Sequence, residues 1–476
     1  MNMKLTGAML IGSILLGYGF IMKQHNAKNK WVSNENPIAL CDPKSGAYKI
    51  PGSIALPSAK DIPSDGNRDS SMIAFLQNAA DSFSWKTFIA INWASGEDGD
   101  VDSSTCFGQD YQNAVWQNWM PSSKIYSGGR PAKWTKNNFR NSDVDSKLGK
   151  DSVATNLEVD DYPLIAQNKM YTLFEVFYNR SAYDYVVNAG LYSLNGQTQF
   201  VKSYPNLTKG LTILVGNDTM NIARTYQRAY FSVGNVKDST EKRGDTTYLF
   251  TTDPGAMIIK TAWLPLTEND DQTKYFTRSI RTKVNKGVKV HTYGLVGMHI
   301  MHKVAEETQW VWSTFEHINI SPDLDVLHRP IVDPSKDYLY FNKAVTDSSL
   351  LNKHPASKFE KNIFKRIPTQ VGRLRGIEQS TQKINAYYRE LIRTANPNSR
   401  WLNYRLVGTQ WAFDPELFTK GSQYQPTHLA NTVMETYIQT NSSCMNCHSK
   451  ARFLQTDATG GYGYSADFVW GLNNVK

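Results

Sequence analysis

The sequence is poor in charged residues and in cysteine. Of its 476 residues, 20% are Asp, Glu, Lys or Arg and only 4 are Cys, whereas 12% are aromatic and 40% are hydrophobic. A disordered chain or a long coiled coil would have more charge and fewer aromatic side chains, so both classes are excluded. Four cysteines in a chain of this length also exclude a small domain held together by disulfides.

The chain also lacks a large excess of positive charge outside its amino terminus. The net charge is +9, but Lys4, Lys23, Lys28 and Lys30 fall in the first thirty residues, where there is no acid, so the rest of the chain carries +5. A charge this small over so long a chain predicts no nucleic-acid partner. The sequence contains no Ser-His-Asp order, HExxH or Walker motif either.

One long apolar run stands near the amino terminus, and no other apolar run approaches its length. Residues 5–22 contain no charge, follow Lys4 and precede a polar, lysine-containing stretch. As a helix these residues would be about 27 Å long, which is close to the thickness of bilayer hydrocarbon and exceeds a usual signal core. Residues 1–30 are therefore predicted to be a signal peptide or an N-terminal membrane anchor. The absence of a good small-x-small cleavage site favours the anchor.

The remaining sequence predicts a mixed α+β protein with an antiparallel sheet. Residues 31–70 are rich in Asn, Pro, Ser, Gly and Asp, which indicates a linker or surface loop, and an α+β body is predicted over residues 71–425. Short β-branched and aromatic runs between 162 and 320 indicate strands, with a hairpin formed by 295–304 and 309–318. Helical spacing predicts a helical pair over 71–93, a helix near 111–121, and helices over 377–395 and 429–438.

The most informative motif is Cys444-Met445-Asn446-Cys447-His448. Two thiols three residues apart, followed directly by His, form the attachment sequence for c-type haem. A zinc site would require a second pair of ligands at suitable spacing, and the other cysteines stand singly. A thioredoxin-like dithiol would lie early in a βαβ unit rather than near the carboxyl terminus. Residues 426–476 are accordingly predicted to be a helical haem c-binding segment with Cys444 and Cys447 as attachment points and His448 as proximal iron ligand.

The second axial ligand of the iron is not fixed by the sequence. No Met or His follows His448, so the ligand comes from upstream or is absent. The candidate ligands are Met434, His428 and three histidines of the predicted hairpin, namely His299, His302 and His317. His299 and His302 differ by three positions and so point to opposite faces of a strand, which allows at most one of them to face the haem.

Cys41 and Cys106 remain after the haem motif is set aside. In an oxidising compartment two such thiols most simply join each other in a structural disulfide, and two free buried thiols are the alternative. Covalent attachment of haem c takes place outside the cytoplasmic membrane, so the globular part is expected in the periplasm, anchored to the inner membrane by residues 5–22 if that segment is not cleaved.

Several long segments resemble a bacterial family of large single-haem proteins grouped as cytochrome c family proteins. The resemblance covers roughly residues 72–472 and is carried by residues 163–179, 296–322, 404–411 and 429–451, together with ADFVWGL near the end of the chain. It implies covalent haem at Cys444 and Cys447, ligation by His448, and export. It implies no particular substrate.

Two main functions follow as expectations. The first is electron transfer in the periplasm by a protein with one haem c, which exchanges electrons with a redox partner protein or a respiratory electron carrier. The second is a haem enzyme of peroxidase or oxygenase type, with an open iron site and a substrate pocket in the large body. A third is a sensor or binding protein in which the haem has a structural role. The state of the second axial position distinguishes the first two.

Overall fold

The computed structural model describes most of the chain from residue 40 onward. The described ranges are 40–135, 162–203, 211–250, 254–412 and 424–475, without residues 43–44, 53, 55–69, 98, 110–112, 216–217, 223–228, 230, 233–238, 244–245, 285–286, 305–306, 357–359, 361, 455–462 and 474. The predicted export segment, residues 1–30, and most of the predicted linker, residues 31–70, lie outside them. Among the described residues, no helix is both long enough and apolar enough to cross a membrane.

The described part of the chain forms six α-helices. They are α1 (Ser70–Ile91), α2 (Ser122–Ile125), α3 (Arg180–Asn188), α4 (Leu194–Ser203), α5 (Gln379–Ala395) and α6 (Cys444–His448). Short 3-10 turns lie at Val115–Asn118, Gln272–Lys274, Ser348–Leu350, Ile363–Lys365, Arg400–Asn403 and Trp470–Asn473.

An eight-stranded antiparallel sheet forms the centre of the molecule. Its strands are β1 (Met120–Pro121), β2 (Leu173–Tyr178), β7 (Met257–Pro265), β8 (Thr277–Val284), β9 (Gly287–Val304), β10 (Glu307–His317), β13 (Tyr404–Ala412) and β14 (Tyr424–Gln425). The order is β1-β2-β7-β9-β10-β13-β14, and β8 pairs with the first part of β9.

Four further strand pairs stand apart from this sheet in the described residues. They are β3 (Leu211–Val215) with β4 (Asp218–Ile222), β5 (Ser239–Arg243) with β6 (Thr246–Phe250), β11 (Asp323–Leu324) with β12 (Pro330–Ile331), and β15 (Arg452–Phe453) with β16 (Tyr464–Ser465). Helices together with an antiparallel sheet confirm the α+β class predicted from the sequence.

One face of the main sheet, here called the helix face, is covered by α1 and α5. Phe88 of α1 stacks on Phe315 of β10 with ring centroids 4.1 Å apart, and Trp85 stacks on Tyr388 of α5 at 5.5 Å. Ser84 lies within hydrogen-bond distance of two strand hydroxyls, 2.6 Å from both Ser313 Oγ and Thr409 Oγ1. The hydroxyls therefore satisfy one another inside an otherwise aromatic core.

The opposite face, here called the C-terminal face, is covered by residues 424–475. Side chains alternate between faces along a strand, and directly paired residues share a face. Lys260, His299 and Thr314 therefore form one row across β7, β9 and β10 of this face. Ile258, Met301 and Trp312 form the next row.

The C-terminal segment is attached to this face by polar contacts spread along the strands. Asn431 Nδ2 donates to Thr314 Oγ1 at 2.9 Å, and Thr432 Oγ1 donates to Glu316 Oε2 at 2.8 Å. Farther along, Met445 N–H donates to Gln410 Oε1 at 2.8 Å. The sheet therefore fixes the position of the CxxCH motif.

Two helix predictions differ from the structure near the amino terminus. The predicted helical pair over 71–93 is a single helix, α1, because no Gly or Pro interrupts the sequence there. Asp81 in its middle is buried, and its pKa is raised to about 6 by burial, against hydrogen bonds from Thr381 and Gln77. The helix predicted near 111–121 is only the 3-10 turn Val115–Asn118.

The helix predicted over residues 429–438 is also wrong, since this stretch is a series of turns. Its polar side chains accept hydrogen bonds from backbone N–H groups, in place of the regular backbone hydrogen bonds of a helix. Asn431 Oδ1 accepts from Val433 N–H at 2.9 Å, and Glu435 Oε2 accepts from Asn431 N–H at 2.7 Å. Side chains of this type compete with helix formation, and contacts to the sheet decide the outcome. Among the described residues of the C-terminal segment, helical structure is limited to α6 and the 3-10 turn Trp470–Asn473.

A disulfide joins Cys41 to Cys106 in the structure. It connects the chain before α1 to the loop after α1, across a sequence separation of 65 residues. Beside it, Phe107 N–H donates to the Leu40 carbonyl at 3.0 Å. The crosslink thus holds the start of the described chain against the aromatic core.

We expect removal of this disulfide to lower the free energy of unfolding by about 2–4 kcal/mol, because the unfolded chain regains conformational freedom. Urea denaturation of the Cys41→Ser/Cys106→Ser double variant measures the loss. Reductant should lower the stability of the wild type to the same level and leave the double variant unchanged. Equal stability of the two oxidised proteins would contradict the expectation.

Candidate functional site

The CxxCH motif forms one short helix held at its start by a cap. Ser443 precedes α6 with an extended backbone, and its hydroxyl accepts from Asn446 N–H at 3.3 Å. Gln410 of β13 accepts from Met445 N–H, so the first turn is bound both to its own cap and to the sheet. The helix brings both thiols and the imidazole of the motif into one and a half turns.

The two motif thiols are separate from the disulfide. Cys444 and Cys447 are both free and partly buried, while Cys41 and Cys106 are joined. Burial raises the pKa of the Cys444 thiol well above its usual value, and the negative charge of Glu435 raises it further. Both motif sulfurs are thus available for another bond.

The ring of His448 is held in a defined tautomer. Its Nδ1 lies 2.8 Å from the Phe468 carbonyl oxygen, which can only accept, so Nδ1 carries the hydrogen and Nε2 keeps its lone pair. The pKa of His448 is lowered to about 4, mainly by burial, with Lys260 and His299 adding to the shift and the Phe468 carbonyl opposing it. The imidazole is therefore neutral at pH 7, as metal ligation requires.

The Phe468 carbonyl is itself fixed by an unusual backbone turn. Asp467 and Phe468 have φ of 50° and 67°, in the left-handed region that residues other than Gly seldom adopt. Trp310 Nε1 donates to the Asp467 carbonyl at 2.9 Å, and Phe231 N–H donates to Asp467 Oδ2 at 2.8 Å.

The carboxylate of Asp467 forms an ion pair with Lys303 of β9, and both side chains are fully buried. This pair connects the turn that orients His448 to the central sheet. Contacts that hold the hydrogen-bond partner of a metal-binding residue fix the orientation of that residue.

Trp312 lies directly against His448 on the C-terminal face. The ring centroids are 4.4 Å apart, with planes tilted by 54°. Trp312 Nε1 is buried and has no hydrogen-bond partner among the described residues. A buried donor of this kind suits a bound group that brings an acceptor of its own.

His299 and Glu435 lie beside the motif on the same face. His299 Nε2 is 3.5 Å from Glu435 Oε2, and it makes no hydrogen bond within the described part of the chain. Burial alone would raise the pKa of Glu435, but the charge of His299, the Asn431 N–H and the charge of Lys260 lower it. The negative charge of Glu435 in turn raises the pKa values of Cys444 and of His448.

Two other histidines of the hairpin lie on the helix face. The His302 ring stacks on Phe83 at 5.3 Å, and its Nε2 donates to the Pro254 carbonyl at 2.7 Å. His317 uses both ring nitrogens, because Nε2 donates to the Lys274 carbonyl at 3.1 Å and Nδ1 accepts from Asn319 N–H at 3.2 Å. The sheet separates both rings from the motif.

Met434 and His428 complete the set of candidate ligands. Met434 is fully buried on the C-terminal face, where its Cε would lie 3.4 Å from a Cβ at Gly297, and it packs in an apolar cluster. His428 is exposed, with Nδ1 3.1 Å from Thr427 Oγ1, and borders a cavity of about 460 Å³ that also touches Leu429.

The groups around the motif that the sequence did not reveal are Lys260, Lys303, Gln410, Glu435 and Asp467. Lys260, Lys303 and Gln410 lie on different strands that the register of the sheet brings together, and Glu435 and Asp467 join them through contacts of the C-terminal segment to the sheet. Trp312 is buried in the core and also contacts His448.

Within the described residues, no group of three or more His, Cys, Asp or Glu side chains is arranged to hold a metal ion. A porphyrin carries its own four nitrogen ligands, so a haem protein needs only axial side chains and, for haem c, two thiols. The donors around α6 fit that requirement. Comparison with known proteins gives no match to any family model, curated protein or solved structure.

Proposed function

We propose that the protein is an exported c-type cytochrome with one haem c that transfers electrons. Cys444 and Cys447 would hold the haem through thioether bonds, and His448 would be the proximal iron ligand. The observation that carries the proposal is the His448 tautomer: Nδ1 donates to the Phe468 carbonyl, so Nε2 is free to bind a metal, beside two unpaired thiols on the same helix.

The residues around α6 have roles that suit this chemistry. Bound haem would supply an iron that is reversibly oxidised by one electron. The Phe468 carbonyl orients the imidazole, while Trp312 and the surrounding side chains exclude water from one side of it. A rigid, dry ligand environment tunes the reduction potential of an iron centre.

The proposed location is the periplasm, with residues 5–22 as an inner-membrane anchor if they are retained. The disulfide between Cys41 and Cys106 supports this location, since such crosslinks form and persist in oxidising compartments. The proposed partners are a redox partner protein or a respiratory electron carrier, and not a nucleic acid.

Covalent attachment is tested by expressing the full chain with a cytochrome c maturation system. The wild type should retain haem on a denaturing gel and give the pyridine haemochrome spectrum of two thioether bonds. The Cys444→Ala/Cys447→Ala variant should lose the haem stain completely. The Cys41→Ala/Cys106→Ala variant is the matched control and should keep it. A wild type that acquires no covalent haem, or a stain that survives loss of both motif cysteines, would overturn the proposal.

A further inference from the structure

We infer that His299 is the second axial ligand of the haem iron and that Glu435 positions its ring. This inference rests on the proposed function, because it concerns the same haem. It selects one side chain from five that the sequence left equivalent.

The first step concerns which ring nitrogens and sulfurs are available. His302 and His317 face α1 and the 3-10 turn Gln272–Lys274 across the sheet, and their rings are bound to carbonyl oxygens there. His428 lies at the surface. His299 is on the same side of the sheet as His448, and its Nε2 faces Glu435 Oε2 at 3.5 Å, which leaves Nδ1 as the nitrogen that can bind iron.

The second step concerns distance. His299 pairs with Thr314 across β9 and β10, and Trp312 is two residues from Thr314 on the same face. His299 and Trp312 are therefore diagonal neighbours, with Cβ atoms about 7–8 Å apart. The ring of His448 contacts that same Trp312. His299 and His448 thus approach one region from the sheet and from the C-terminal segment.

Met434 is the remaining competitor on this face. It lies over Gly297, one row farther from Trp312 than His299 does, and its side chain packs among apolar residues including Ala262 and Val296. The stretch that carries it is not a helix, so Met434 does not stand three helical turns above the motif. Its burial is explained by packing.

Glu435 explains how His299 is oriented. Its Oε2 lies 3.5 Å from Nε2 of His299. The same oxygen also accepts from Asn431 N–H, which holds the carboxylate in place. Histidines that bind metals usually donate their other ring hydrogen to a carboxylate or carbonyl group. Glu435 has for His299 Nε2 the role that the Phe468 carbonyl has for His448 Nδ1, so iron would be bound by Nδ1 of His299 and by Nε2 of His448. Glu435 is a positioning residue and touches no iron.

Two occupied axial positions favour electron transfer over the peroxidase or oxygenase alternative. An enzyme that activates oxygen or peroxide needs a position where the substrate can reach the iron. Ligation by His299 closes that position, and reduction then changes little around the metal.

The test uses spectra of the complete haem-loaded protein. The wild type should be low-spin in both oxidation states, with no far-red sulfur-to-iron band and no shift on addition of CO. His299→Ala should become high-spin, bind CO, and return to the low-spin form on addition of imidazole. Glu435→Gln should remain low-spin with a more positive reduction potential.

Matched controls are His302→Gln on the opposite face of the same strand and Met434→Leu, both of which should keep the wild-type spectrum. A high-spin wild type, a sulfur-to-iron band abolished by Met434→Leu, or a low-spin His299→Ala protein would each overturn the inference. In all of these outcomes the covalent haem stain is retained, so the proposed function survives. Loss of the stain from the wild type is a different result and would remove both. A high-spin spectrum of the wild type overturns the inference by itself. The test can therefore be made even if a variant folds poorly.

Discussion

Replacing Lys303 with Met should lower the free energy of unfolding by about 3–5 kcal/mol, since it leaves a buried carboxylate without its partner. Lys303 and Asp467 form an ion pair in which both side chains are fully buried. Met fills much of the volume of the lysine stem, so the loss comes mainly from the charge. Within the part of the chain that the structure describes, Asp467 would retain only the Phe231 N–H as donor to its Oδ2.

Urea denaturation of the haem-loaded protein measures this effect. Lys353→Met, at an exposed position, is the matched control and should change stability by less than about 0.5 kcal/mol. The Lys303→Met/Asp467→Asn double variant should recover part of the loss, because a neutral pair is cheaper to bury than one charge. A single variant as stable as the wild type would show that Asp467 does not remain buried and charged.

The second large effect is expected at Glu316. Replacing it with Gln should lower the free energy of unfolding by about 3–5 kcal/mol. This carboxylate is fully buried and forms an ion pair with Arg373, of which only 1% of the side chain is exposed. It also accepts from Arg405 Nη2 at 2.9 Å and from Thr432 Oγ1 at 2.8 Å. Gln keeps only one acceptor oxygen and carries no charge, so two buried guanidinium groups lose their negative partner and the contact to Thr432 of the C-terminal segment is weakened.

Glu316 should also make stability depend on pH. Burial alone would raise its pKa, but the charges and hydrogen bonds of Arg373 and Arg405 lower it from 4.5 to about 2. Because the folded value lies below the unfolded one, the stabilisation is present above about pH 4.5 and is lost as the pH falls toward 2. The shift corresponds to about 3 kcal/mol. Denaturation midpoints between pH 6 and pH 2.5 should fall more steeply for the wild type than for Glu316→Gln, while exposed Glu268→Gln should follow the wild type.

The parts of the fold that were predictable from the sequence are those with a strong local pattern. The hairpin of β9 and β10 is such a case, because two runs of β-branched and aromatic residues flank a short connection. The amphipathic helix α5 is another, within two residues of its predicted start. The CxxCH motif consists of five consecutive residues, so it could also be recognised from the sequence.

The wrong predictions concern residues whose structure depends on contacts with distant parts of the chain. Residues 429–438 have apolar side chains at helical spacing, but contacts of Asn431, Thr432 and Glu435 with a distant sheet override that preference. The partners of His299 were hidden for the same reason. Lys260 and Trp312 become its neighbours only through the register of three antiparallel strands, which sequence spacing does not encode.

The covering of the C-terminal face by residues 424–475 has a consequence for the order of assembly. In the finished fold Cys444 packs against Ile377, Val407 and Leu429, and α6 is tied to Gln410, so the Cys444 side chain is partly covered, while Asn446 of the same helix is exposed. On the proposed function, an attachment enzyme therefore reaches Cys444 most freely before this segment settles on the sheet. Maturation would then precede docking, and the last folding step would enclose a haem that is already bonded to the chain.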